Sequence, residues 1–318
     1  MVLSWRSCLG VRKLAAVCLV VTAAMALGRP LSAAPNQATS SQQAREDAVR
    51  SIPFDKLTVE TRRKLAGIVS KPSIFRRMPI QMVDCDPDMY LFLVRYPEVV
   101  VNIWQMMGIS NVGIQRTGAY TLHATDGNGT VTNVELVYGD PETHVVYAEG
   151  LYEGPLFKRR INARCVLVLR SAYTRGAGDR PLVASRLDLF LHLDDAGAEV
   201  IAKTLQPVVG RTADYNFTES AIFLGRVSQA AEKNGPGLQQ MTTRLTNIDA
   251  AVRDRFSQIA ASVTYKAALR DASAGGGQKL ISTSSAAEPI DEAGLIQSES
   301  ERSAPSGVEK PAASTIKR

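Results

Sequence analysis

The most constraining feature of this chain is the period-two pattern between Ile109 and Leu193. Tyr120, Leu122 and Ala124 alternate with Thr121 and His123. Val134, Leu136 and Tyr138 alternate with Asn133 and Glu135 after a Gly127-Asn128-Gly129 turn. Asp140-Pro141 turns the chain again before THVVYAEGLYEG. Ile161, Ala163, Cys165, Leu167 and Leu169 then oppose Arg160, Asn162, Arg164 and Arg170, and Val183 to Leu193 oppose Arg186, Asp188 and His192. Such alternation, with turn residues between the runs, predicts an antiparallel sheet of hairpins with one buried face. On that reading Arg164 and Arg186 are solvated charges on the other face. Parallel α/β folds are excluded, because they need a helix between successive strands.

Helical patterns flank the sheet. Ser41–Val69 reads as helix broken at Ile52-Pro53, with Thr58 capping its second piece and Pro72 closing it. SIFRRMPIQMVDC at 73–85 is a strand that Pro79 confines to an edge. Asp86-Pro87-Asp88 has the chemistry of a helix start: a carboxylate cap, proline in the first turn, and a further negative charge. Arg95-Tyr96-Pro97 interrupts that helix and begins another, which ends at Gly108. After the sheet, helices are expected from Ala196 to Leu205 ahead of Pro207, and from Asn216 or Thr218 to Lys233, with Gly235-Pro236-Gly237 as the stop. A last helix over 238–270 carries Leu238, Met241, Leu245, Ile248 and Val252 at spacings of three and four, a short seam suited to packing on its own domain or to self-association.

The ends differ from the middle. Arg6, Arg12 and Lys13 precede a 14-residue apolar run, Leu14–Leu27, followed by Ser32-Ala33-Ala34. This is the layout of a secretory signal peptide, with cleavage near Ala33 or Ala34, and the run is short of the about 20 residues of a membrane span. Residues 1–34 take four basic side chains with them, so the formal charge of +6 falls to +2. No basic run with interleaved aromatics suggests nucleic acid. The mature chain is expected to be periplasmic or extracellular. Cys85 and Cys165 would be its two cysteines, either a disulfide pair or two small buried apolar residues. From Ala272 to Arg318 the sequence is rich in Ser, Ala, Gly, Glu and Pro and is expected to be disordered. The organisation is therefore a signal at 1–34, a helical extension at 35–72, an α+β domain at 73–235, an amphipathic helix at 236–271 and a tail at 272–318.

One strand, two short helices, five or more antiparallel strands and a C-terminal helix: in this order residues 73–233 resemble the START-like, or helix-grip, superfamily of lipid-transfer domains, polyketide cyclases and plant hormone and allergen proteins. The resemblance lies in element order and length. It implies a curved sheet gripping a helix around an apolar cavity, and no shared catalytic residue. Here the extra N- and C-terminal helices and Pro207 depart from the pattern. On this reading Tyr120, Leu122, Leu136, Tyr138, Leu167 and Leu189 face inward from the sheet. Trp104 and Met107 cover one end, and Phe217, Phe223 and Val227 face them from the closing helix. The same residues would also build a solid core.

Enzymatic readings compete with that one. Counted from Asp84, an EF-hand would need glycine at position 89 and glutamate at 95, where Met89 and Arg95 stand. IQMVDCD resembles the nucleophile motif of haloacid-dehalogenase-like phosphatases, and Asp194-Asp195 their late metal-binding pair, but the hairpins contradict the parallel sheet those enzymes use. His123, His144 and His192 lack metal-ligand spacing, and His144 and His192 are expected at the surface. No cofactor or metal is expected. The function expected is noncatalytic binding of a hydrophobic or amphiphilic small molecule. The alternatives are an envelope interaction protein with a filled core, or a cyclase-like or phosphotransfer enzyme.

Overall fold

The computed structural model describes residues 37–155, 160–194 and 198–283. The expected signal peptide and most of the expected tail lie outside them. The chain divides into two units, at residues 1–270 and 271–318. The described part of the second is helical as far as Thr283.

The first unit is α+β. Its strands are β1 (Ile74–Arg77), β2 (Gln81–Asp84), β3 (Gly113–Arg116), β4 (Thr121–Thr125), β5 (Thr130–Gly139), β6 (Thr143–Tyr152), β7 (Ile161–Arg175) and β8 (Pro181–Leu193). They form one curved, open antiparallel sheet in the order β1-β8-β7-β6-β5-β4-β3. β2 also pairs with β8, beyond β1 along the same edge. The single strand expected over 73–85 is thus two, with Pro79 between them, where the missing N–H breaks the ladder. The expected hairpins all form.

Helices pack on both faces. α1 (Gln42–Arg50) and α2 (Val59–Ser70) lie on the outer face, where Ala48, Leu65 and Ile68 meet Val145, Tyr147, Val166, Val168 and Phe190. One buried face was expected from the alternation, and this second core corrects that. The signal for it was present: CVLVL at 165–169 and the Val145-Val146 pair are continuous apolar runs, the mark of strands buried on both sides. Arg186 is accordingly half-buried rather than solvated. With Arg77 and Arg170 it surrounds two aspartates between α1 and the sheet. Asp188, fully buried, accepts from Arg77 Nε at 2.6 Å, and Asp47 of α1 accepts from Arg77 and Arg170 at 2.8 and 2.9 Å. Arg164 pairs with Asp194.

On the inner face lie α3 (Pro87–Arg95), α4 (Pro97–Met106) and α5 (Ala198–Thr242), with α6 (Ala250–Thr283) behind them. Pro207 does not divide α5. Pro207 and Lys203, whose carbonyl would otherwise receive the missing N–H, are both exposed, on a side of the helix open to solvent. The break falls instead at Asn234, in non-helical backbone, and Pro236 restarts the helix. The helix expected over 238–270 is therefore split. Residues 238–242 finish α5 and α6 begins at Ala250, where Asp249 accepts from Ala251 N at 2.9 Å. Leu238, Leu245 and Ile248 are buried in the domain's own core, with Met241 and Val252 packed against it. α6 also continues past Ala272, through Gly275–Gly277, although glycine disfavours a helix interior.

α6 is held to α3 by aromatic and ionic contacts. The Phe92 ring stacks on Phe256 (centroids 5.4 Å, 10° apart) and on Tyr96 (4.9 Å). Lys266 Nζ donates to Asp86 and Asp88 at 3.0 and 2.6 Å. Thr264 Oγ1 donates to Ala231 O at 2.7 Å across the α5–α6 crossing, where only a glycine at 235 leaves room for its side chain. Phe256 is fully buried. Phe256→Ala should cost about 3–5 kcal/mol in urea unfolding and lower a single cooperative transition. An unchanged midpoint would mean that α6 is not part of the domain's core.

Candidate ligand cavity

Between the inner face and the helices opposite lies a cavity of about 990 Å³. Its floor is two rungs of the sheet. One aligns Leu136, Val146, Leu167 and Leu189, and its neighbour aligns Gly139, His144, Leu169 and Leu187. Tyr90, Leu93, Val94, Pro97, Val101 and Trp104, at helical spacings of three and four, form a wall from α3 and α4. Phe217, Ala221 and Leu224 close it from α5.

Most of the residues expected to line a cavity do so: Trp104, Tyr120, Leu122, Leu136, Tyr138, Leu167, Leu189 and Phe217. Three do not. Met107 follows the last turn of α4 and is exposed. Phe223 and Val227 sit behind the wall in the core shared with α6, Phe223 edge-on to Trp104 at 5.5 Å. Tyr138 contributes to the lining, but not in the way alternation predicts. A bulge at Val137 shifts the register, so that Leu136 pairs with Val146 and Tyr138 with Val145, a residue of the outer face. The Tyr138 hydroxyl accordingly accepts from Lys56 at 3.0 Å and donates to Asp140 at 2.6 Å.

The same bulge places Gly139 on the inner face opposite His144. A side chain at 139 would press on the imidazole, with its first carbon 3.3 Å from Cδ2. His144, expected at the surface, is instead buried in the cavity wall. Its Nε2 accepts from Arg95 Nε at 3.2 Å, which puts the ring proton on Nδ1, and Nδ1 has no partner among the described residues. Burial, and then the Arg95 charge, push its pKa down to about 4. The ring is therefore neutral at ordinary pH.

Two cations line the cavity among its described residues, and no carboxylate does. Arg116 is already neutralised. It is bidentate to buried Glu98 at 2.5 and 2.9 Å, donates to Arg95 O and Ala119 O, and stacks over Tyr96 at 4.9 Å. That arrangement ties the α3–α4 junction to the β3–β4 turn. Arg95 differs. Beyond the bond to His144, neither terminal nitrogen of its guanidinium has a partner among the described residues. At the far side of the wall, the Tyr90 hydroxyl meets Ser171 at 2.8 Å, and burial raises that phenol's pKa.

The acidic cluster at 84–88 is structural. Asp84 ends β2 and accepts from Arg180 Nε at 2.7 Å, while Asp86 caps α3 through Asp88 N and Met89 N. Asp84 and Asp194 stand at opposite ends of β8, roughly 35 Å apart by the strand rise, so the phosphatase-like reading has no convergent pair. Asp195 lies outside the described residues. His123 pairs with Asn133, and His192 with Lys71 O.

Cys85 and Cys165 are both free. Cys85 N bonds Pro181 O and Cys165 pairs with Leu191, so ten residues of β8 separate them, on the order of 30 Å. A disulfide needs Cα atoms within about 7 Å, so of the two alternatives the disulfide pair is excluded. Burial pushes both thiols up to about 12.

No family model matches the chain, and no curated protein matches it closely. Among the described residues no helix is long and apolar enough to cross a membrane.

His144 links the cavity to stability. The unfolded imidazole titrates near 6.5 and the native one near 4, so the unfolded state binds more protons between those values. Stability is then full above about pH 6.5 and falls by a few kcal/mol as pH drops toward 4. Burial raises Asp47, but Arg170 and Arg77 outweigh it and hold it at about 2. That contribution is present above 3.8 and is lost between 3.8 and 2. Urea midpoints from pH 7 to 4.5 should slope for the native chain and flatten for His144→Gln; equal slopes would contradict a buried neutral imidazole.

Proposed function

We propose that this is an exported START-like protein that binds a hydrophobic or amphiphilic small molecule without transforming it. One observation carries the reading: an apolar cavity of about 990 Å³ between the sheet and α3–α5, at the upper end of the size range of small-molecule sites and with the few polar groups such sites use for orientation. A filled-core interaction protein would have no use for that volume. The order of strands and helices, and a C-terminal helix laid across the sheet, support the helix-grip assignment. His144 is tied to a cation and is too weakly basic at about 4 to take up a proton near neutrality, which favours binding over turnover.

The protein, expressed with its leader in its own host and recovered from the exported fraction without delipidation, should carry an extra mass in native mass spectrometry that organic solvent extracts. Leu167→Trp, which fills the middle of the floor, should remove that mass and leave the circular dichroism unchanged. A bare native protein that shows no thermal shift across a lipid panel would overturn this reading.

A further inference from the structure

We infer that the cavity takes an amphiphile with a single carboxylate head, seated on Arg95, with its apolar body over Leu136, Val146, Leu167 and Leu189. The inference rests on the binding function proposed above and specifies its ligand.

The starting point is charge. Arg116 is cancelled by Glu98, and no carboxylate lines the cavity among its described residues. Arg95 is half-buried and has no acidic side chain within ion-pair distance among the described residues. The carboxylate that acts on the neighbouring His144, Asp140, is already occupied by the Tyr138 hydroxyl and the N–H groups of Glu142 and Thr143. The wall therefore presents one uncompensated positive charge in apolar surroundings, where an unpaired charge is costly. A monoanion cancels it and a dianion does not.

Geometry narrows the head further. Arg95 Nε is committed to His144 Nε2, which holds the guanidinium by one edge and leaves the two terminal nitrogens as donors. Two donors on a planar group match the two oxygens of a carboxylate. The neutral imidazole is what allows this arrangement: a protonated ring could not accept from Arg95 and would place a second cation there.

The polar side chain beside Arg95, His144, belongs to a single rung of the floor. Arg116, neutralised by Glu98, stands on the rung of Leu122 and Val134, and Gly139 and His144 stand on the rung beside the β5–β6 turn. The next rung inward is entirely aliphatic. Head and body thus have separate places, as an amphiphile requires.

Dodecanoate, 1-dodecanol and dodecyl phosphate distinguish the terms of the proposal, measured at pH 8 by displacement of a fluorescent apolar probe from the full mature chain. The native protein should bind dodecanoate about tenfold or more tighter than the alcohol. Arg95→Gln should abolish that preference and leave alcohol binding unchanged, and Arg95→Lys should keep part of it. The unchanged alcohol affinity serves as the control for folding. Equal binding of acid and alcohol by the native protein would overturn the carboxylate head while leaving the cavity function standing. Tighter binding of dodecyl phosphate than of dodecanoate would overturn carboxylate in favour of phosphate. Failure of all three ligands to bind would overturn the cavity function and this inference with it.

Discussion

Everything in the domain is arranged around the pairing of β7 with β8. The two strands run side by side from Arg175–Pro181 at the turn to Ala163–Leu193 at the open end. Their alternate residues serve two unlike environments. Val166, Val168 and Phe190 go into the dry core beneath α1 and α2, and Leu167, Leu169, Leu187 and Leu189 form the floor of the cavity. A one-residue slip would exchange these sets and bring buried Asp188 under the helices of the inner face, which is why the register is so strongly specified. β1 and β2 add to the same strand's outer edge, so the N-terminal part of the domain also takes its position from β8.

A two-faced sheet explains how a hollow can persist in a stable protein. The outer core, the cluster shared by α3, α5 and α6, and the smaller one around Ile74 and Leu193 surround the cavity without filling it. Stabilising burial lies beside and behind the site rather than inside it. The ionic network of Asp47 and Asp188 with three arginines belongs to this frame. It clamps α1 to the sheet on the side away from the cavity, so its charges do not compete with Arg95.

Much of this was legible in the sequence. Alternation located the strands and hairpins, Asp86-Pro87 and Pro97 located the helix pair, and eight of the residues expected at a cavity line it. What was not legible came from three physical sources. A bulge changes the parity of everything after it, so Tyr138, Gly139 and His144 could not be assigned to faces by counting. Burial on the second face depended on where α1 and α2 docked, and only the unbroken apolar runs of β6 and β7 hinted at it. Pro207 was read as a terminator because its cost is real; an exposed helix face reduces that cost, and exposure is a tertiary property. The two cysteines show the reverse limit: each was visible, but their separation along β8 required the register.

The joining of α6 to α3 has a consequence for how the chain is assembled. Asp86 and Lys266 are 180 residues apart in sequence and share an ion pair, and Phe92 meets Phe256 across a similar span. The helix that forms one wall of the cavity is thus fastened by nearly the last part of the domain to be synthesised. Closing so long a loop carries a slow entropic cost that local hairpins do not. The sheet can form early, while the wall that faces it settles only when α6 arrives, so a cavity of this design is completed by a helix made after its own floor.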